Sequence, residues 1–183
     1  MSRPVRRGGR LVDDVGRTVT WSVAEGGRGR RWRWSVADKR GAFVAAHTVE
    51  LDPEGRFIRL ESAAGGGLLT LHREADGSVH GNRVAERGVA HLTIEAPAPE
   101  LVVVGSTPLG LVAVMAGLGA LGEPVELDVV DVLDDLGVRV VAASVRQPHA
   151  DAWEVRLDRG RFGATVDDAG LPADSEAWPL ETG

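Results

Sequence analysis

Period-two alternation of apolar and polar residues runs through most of this chain and restricts it to a mainly β fold. Val19, Trp21 and Val23 fall on one face of an extended run, and Trp32, Trp34 and Val36 on one face of the next. Successive residues of a strand point to opposite sides of a sheet, so each run offers one apolar and one polar face. Turn signals separate the runs. Further strands are predicted over residues 42–51, 57–62, 68–74, 89–95 and 101–104, with Asp52-Pro53-Glu54-Gly55 and Gly65 to Gly67 as breaks. At Asp76-Gly77 a two-residue hairpin turn is predicted, pairing Ala75 with Ser78, Glu74 with Val79 and Arg73 with His80. The series predicts a large antiparallel sheet.

The pattern changes once. Ser106 or Thr107 can cap a helix with Pro108 in its first position, running over residues 109–121 until Gly122. No residue in it is charged, so it is expected to pack against an apolar surface. Gly110, Gly117 and Gly119 each lower helix stability by about 1 kcal/mol relative to Ala, which points to close packing or a helix able to loosen. Strands resume over 125–132, 138–145, 152–157 and 162–166. The last two are read as a hairpin joined at Asp158-Arg159-Gly160-Arg161, with Trp153, Val155 and Leu157 facing one way and Phe162, Ala164 and Val166 forming the matching face.

A chain of 183 residues fits one domain, so residues 1–16, rich in Arg and Gly, are read as a mobile basic arm and residues 17–183 as a single domain. Residues 1–40 carry eleven Lys/Arg against four Asp/Glu, and the remainder ten against twenty-three, for a net charge of −6. A basic front on an acidic body suits internal complementarity as readily as an anionic partner. There is no cysteine, which excludes disulfides, thiolate metal sites and a cysteine nucleophile. The basic start has no apolar run behind it, and the uncharged stretch 108–122 is shorter than the roughly 20 residues of a spanning helix, so a cytoplasmic location without a transmembrane segment is expected.

Several patterns carry potential chemistry. Residues 100–132 outline a strand, a Gly turn, a helix and a second strand ending in acids, as in a dinucleotide-binding unit. Gly105 and Gly110 occupy the first and third glycine positions, but Thr107 replaces the middle glycine that lets a pyrophosphate approach the backbone. The predicted hairpin sends His72 and His80 to opposite faces, so these two are not expected to share a metal ion, and no metal site is expected at His47, His91 or His149. Ser106 lacks the flanking pattern of a nucleophile elbow. The stretch Arg31-Trp32-Arg33-Trp34 offers cations and rings for nucleic acid, yet strand geometry puts them on opposite faces, and nucleic acid is not an expected partner.

With the strands laid out, two stretches resemble a family described as glycolipid-binding. One is WRWSVADKRGAFVAAHTVEL; the other is RQPHADAWEVRLDRGRFGATVDDAGLPADSEAWPL, where Gln147, Trp153, Phe162, Asp167, Gly170 and Trp178-Pro179 follow that family's order. Between them STPLGL matches a Thr-Pro segment entering a short helical region, while the family's Gly-Cys pair and its Asn-Thr-Leu-Pro-Ile run are absent. The resemblance implies a bacterial protein whose fold is similar to the envelope lipoprotein carriers: a strongly curved, half-open antiparallel barrel with an apolar concave side, the apolar helix packed at that side.

On that reading the protein is a non-enzymatic binder of a lipid-like or other apolar or amphipathic small molecule, with no cofactor. Trp21, Trp32, Trp34, Trp153 and Phe162 would line the concave side with Leu111, Met115 and Leu118 of the helix, and Arg31, Arg33 or His91 would meet a polar head at the rim. Two alternatives stay open: a nucleotide- or phosphate-binding enzyme using the Gly105–Gly110 turn, and a structural or protein-interaction domain in which the same rings are closed core. Oligomeric state is not readable from the sequence.

Overall fold

A computed structural model of the chain describes residues 5–13, 15–115, 118, 121–173 and 176–179. The fold is mainly β, with an antiparallel half-barrel. The chain divides into two compact units: unit 1 comprises Met1–Ala98, Asp134–Leu136 and Ser175–Gly183, and unit 2 comprises Pro99–Leu133 and Gly137–Asp174.

Unit 1 is built on β1 (Val5–Val12), β2 (Thr18–Gly26), β3 (Gly29–Ala37), β4 (Phe43–Leu51), β5 (Phe57–Ala64), β6 (Gly67–Arg73), β7 (Val79–Ala85) and β8 (Gly88–Ile94). Each pairs antiparallel with the next in sequence, and a short strand near the C-terminus, Glu176–Pro179, adds to β1. Residues expected to form a mobile arm are therefore, over Val5–Val12, a paired strand. Their period was masked by glycine: a Cβ on Gly9 would lie 2.6 Å from the Trp21 ring, so the bare backbone there makes room for an indole.

The predicted apolar faces meet. Val19 pairs with Val36, Trp21 with Trp34, and Val23 with Trp32, all buried. The row continues across β4 to β6 through Val49, Leu60 and Leu71. Trp32 is fully buried, and the rings of Trp21 and Trp32 lie 5.8 Å apart. Burying a Trp removes about 150–250 Å² from water, enough to hold these rings inside although the Nε1 of Trp21, Trp32 and Trp34 finds no acceptor.

At Asp76-Gly77 the structure departs from the predicted register by one residue. Arg73 pairs with Val79 and His72 with His80. The cause is a longer loop: Gly77 N donates to Glu74 O, Glu74 N donates to Ser78 O, and Gly77 takes φ of 87°, while Asp76 Oδ1 accepts from both the amide and the hydroxyl of Ser78. That is a turn followed by a glycine bulge, one residue more than the tight turn assumed. A slip of one exchanges faces, so His72 and His80 share a face, with ring centroids 6.4 Å apart.

Unit 2 contains β9 (Val102–Val104), α1 (Pro108–Met115), β10 (Val125–Val132), β11 (Val138–His149), β12 (Ala152–Leu157) and β13 (Gly160–Thr165). The sheet order is β13-β12-β11-β10-β9, antiparallel except for the parallel pair β9 and β10 that α1 connects. The helix is shorter than expected, and it packs on β9, β12 and β13 of its own unit. Gly110 explains the closeness, since a Cβ there would lie 2.0 Å from Val104 O. Gly117 and Gly119 lie outside the described residues. In the β12–β13 hairpin Trp153 pairs with Ala164 and Val155 with Phe162, as the alternation predicted.

Candidate functional site

A cavity of about 790 Å³ lies in unit 1, bounded by three consecutive residues from each of β2 to β6. The middle residue of each triplet is Trp21, Trp34, His47, Ser62 or Leu69, whose side chains are buried. Side chains alternate along a strand, so these five supply backbone floor and the flanking residues supply the walls. One wall is the cross-strand row Thr20, Ser35, Ala46, Ala63 and Leu68; the other is Ser22, Arg33, Thr48, Glu61 and Thr70. The sheet is hollowed on the side of its small side chains, opposite the tryptophans.

The two walls differ in chemistry. Ala46, Ala63 and Leu68 make an apolar row that pairing extends to Val84 and Val89. Leu68 is 54% exposed, Val84 39% and Val89 60%. At about 4.8 Å per strand, Ala46 to Val89 spans about 19 Å. The neighbouring row is polar and runs on from Thr70 through Asn82 to His91, where His91 Nδ1 and Asn82 Oδ1 share a hydrogen bond. Arg33, between Ser22 and Thr48, has no ion-pair partner among the described residues, whereas Glu61 is paired with Arg59.

Beneath the floor, His47 is buried, its ring 4.9 Å from that of Trp34 and its Nδ1 2.9 Å from Ser62 Oγ. Burial disfavours the imidazolium and pushes its pKa down to about 4, against a smaller opposing pull from Asp134. The histidine is therefore neutral at pH 7, and its hydrogen bond to Ser62 satisfies a polar group that the apolar face would otherwise strand. Ser62 is itself buried, which removes this pair from contact with a substrate.

The residues singled out from the sequence are distributed as follows. Trp32 is closed core, and Trp21 and Trp34 reach the cavity only through the floor. Arg33 stands in the wall; Arg31, one row further on, is held by Glu50 at 2.6 Å. His91 lies on β8, outside the cavity lining. Leu111, Met115, Trp153 and Phe162 belong to unit 2, where the first three are buried, and Leu118 follows α1 with its amide donating to Met115 O. The wall residues Thr20, Ser35, Ala46, Ala63 and Leu68 went unnoticed. They come one from each of five strands, so only the pairing register brings them into one row.

In unit 2 the strand–turn–helix–strand outline is present, but its glycines are engaged. Gly105 N donates to Val132 O, Gly105 O accepts from Arg159 at 3.0 Å, and Gly110 is pressed against Val104. Asp131, fully buried on β10, accepts from Arg139 at 2.9 Å and from Arg159 at 2.9 Å. Arg159 also lies 4.3 Å over the Phe162 ring, and Arg139 continues to Asp158 at 2.6 Å. Among the described residues no three His, Asp or Glu side chains are gathered as metal ligands, and no helix is long and apolar enough to cross a membrane.

No family model matches this chain and no curated protein matches it. Among solved structures, the crystal structure of a DUF1089 family protein from Pseudomonas aeruginosa aligns with a TM-score of 0.52 over 96% of this chain and 90% of that one, at 15% sequence identity. The two share a fold. At that identity the likeness speaks for architecture alone.

Proposed function

We propose that unit 1 binds an amphipathic, lipid-like small molecule non-covalently in the hollow of its sheet. The observation that carries this reading is the pairing of an apolar row, Ala46-Ala63-Leu68, with a polar row holding Arg33, which has no ion-pair partner among the described residues, both facing one 790 Å³ cavity. Apolar burial would drive association, and the guanidinium would select an anionic or hydroxylated head. Glycolipid is one member of that class, in keeping with the resemblance of the sequence. Among the described residues no general base or nucleophile faces the cavity with a partner of the kind acyl transfer needs, so sequestration accounts for the site better than turnover.

The test is displacement of a fluorescent fatty-acyl probe from the full chain, together with native mass spectrometry of protein expressed in bacteria. The wild type should bind the probe. Leu68→Glu should weaken binding at least tenfold, and Arg33→Ala should weaken an anionic probe more than a neutral one, both with an unchanged melting temperature. Absence of binding, or binding untouched by both substitutions, overturns the proposal.

A further inference from the structure

The nine-stranded sheet of unit 1 ends at β8, a longer edge strand than the opposite end of that sheet or β9. The opposite end is a four-residue strand closing on Pro179, and β9, an edge of the second sheet, has three residues, all buried. Strand β8 has seven residues, no proline, no lysine and no bulge in its pairing with β7, and Gly88 to His91 are exposed. Native proteins ordinarily blunt such an edge, because its free N–H and C=O groups template another strand.

Which groups are free follows from the hairpin. The two-residue connection Glu86-Arg87 closes on the pair Ala85 and Gly88, which in such a turn is hydrogen-bonded. Backbone groups of Gly88, Ala90, Leu92 and Ile94 then face β7, and those of Val89, His91 and Thr93 face outward. No bond from these three to another segment of backbone is found among the described residues.

The sequence around this edge is self-complementary. In an antiparallel pairing of β8 with β8 of a second copy, centred on His91, His91 meets His91 of the second copy, Val89 meets Thr93, Ala90 meets Leu92, and Arg87 comes beside Glu95 on both sides of the axis. The outward groups of Val89, His91 and Thr93 fall in the hydrogen-bonded pairs, and like faces meet like faces. A centre on Ala90 or Leu92 would put inward-facing backbone at the axis and separate Arg87 from Glu95.

We infer that the free edge of β8 is a self-association surface, joining two copies of this chain through antiparallel β8 pairing about His91. The two-fold makes the contact closed, so association stops at a dimer. Analytical ultracentrifugation of the full chain over a wide concentration range tests it. A monomer–dimer equilibrium is expected, shifted at least tenfold toward monomer by Arg87→Glu and by Glu95→Arg, because each places like charges across the axis. Mixing the two variants should restore association, since the facing positions 87 and 95 then again carry opposite charges. His91→Pro, which removes the central donors while leaving the backbone bonds to β7, should give monomer with an unchanged far-ultraviolet spectrum. A wild type that stays monomeric throughout, or a dimer indifferent to both charge reversals and to His91→Pro, overturns the inference.

Discussion

Both units fill their interiors with apolar side chains, and they differ in how a buried polar group is accommodated. Unit 1 stacks hairpins in sequence order and buries one continuous face, with Trp21, Trp32 and Trp34 at its centre and a polar pair, His47 with Ser62, set into it. Unit 2 closes through a crossover helix and holds a fully buried carboxylate, Asp131, between two arginines contributed by β11 and by the β12–β13 turn. The first arrangement depends mainly on area removed from water, with its buried polar groups, His47 with Ser62 and Asp13 with Arg17, satisfied in local pairs. The second adds a charge cluster to a core that is also apolar, with Val130, Val132, Leu111 and Val155 buried, and it loses most when one partner of the cluster is removed.

The contrast can be broken at its strongest points first. Trp32→Ala should destabilise the protein by about 3–5 kcal/mol in urea denaturation, since it leaves a cavity where no exposed atom can relax into solvent. Asp131→Ala should cost about 3 kcal/mol, the low end for a broken buried pair because Arg139 and Arg159 retain partial contact with water. If the charge cluster contributed no more than a surface pair, the loss would stay below about 1 kcal/mol.

The polar pair of unit 1 is read by pH. His47 has a folded pKa of about 4 against about 6.5 when unfolded, so the unfolded chain takes up the proton first as pH falls. Stability is complete above about pH 6.5 and is lost progressively down to about pH 4, by up to about 3 kcal/mol in all. Denaturation curves at pH 7 and pH 5 should differ more in the wild type than in His47→Gln. Equal differences would mean that the buried imidazole is hydrated or already charged.

The smallest effect on stability is expected on the open face. Arg33→Ala and Thr48→Ala should each shift unfolding by less than about 0.5 kcal/mol, as isolated surface substitutions do. Arg33→Ala alone should reduce affinity for an anionic acyl probe. The two faces of one sheet would then be separated experimentally into a face that holds the fold and a face that meets the ligand.

Much of the architecture was legible because strand periodicity is local. The boundaries of β10 and β12 coincide with the predicted runs, and Trp21, Trp32 and Trp34 lie on the apolar faces that alternation assigned them. The turn at Asp76-Gly77 shows the limit. Its residues suit two loop lengths, and the choice between them depended on Ser78 finding Asp76, which decided whether His72 and His80 would meet.

The sequence by itself determined which residues leave water. Trp21, Trp32 and Trp34 of unit 1 and most alternating Val and Leu are buried because of their apolar area, while Leu68, Val84 and Val89 stay exposed on the other face. Which face of the sheet would be hollow was a different matter. Curvature arises from the twist accumulated over β1 to β8 and from how closely neighbouring strands approach, and no single stretch carries it. Only the tertiary structure placed the tryptophans in closed core and left the alanines, threonines and Arg33 around the open cavity.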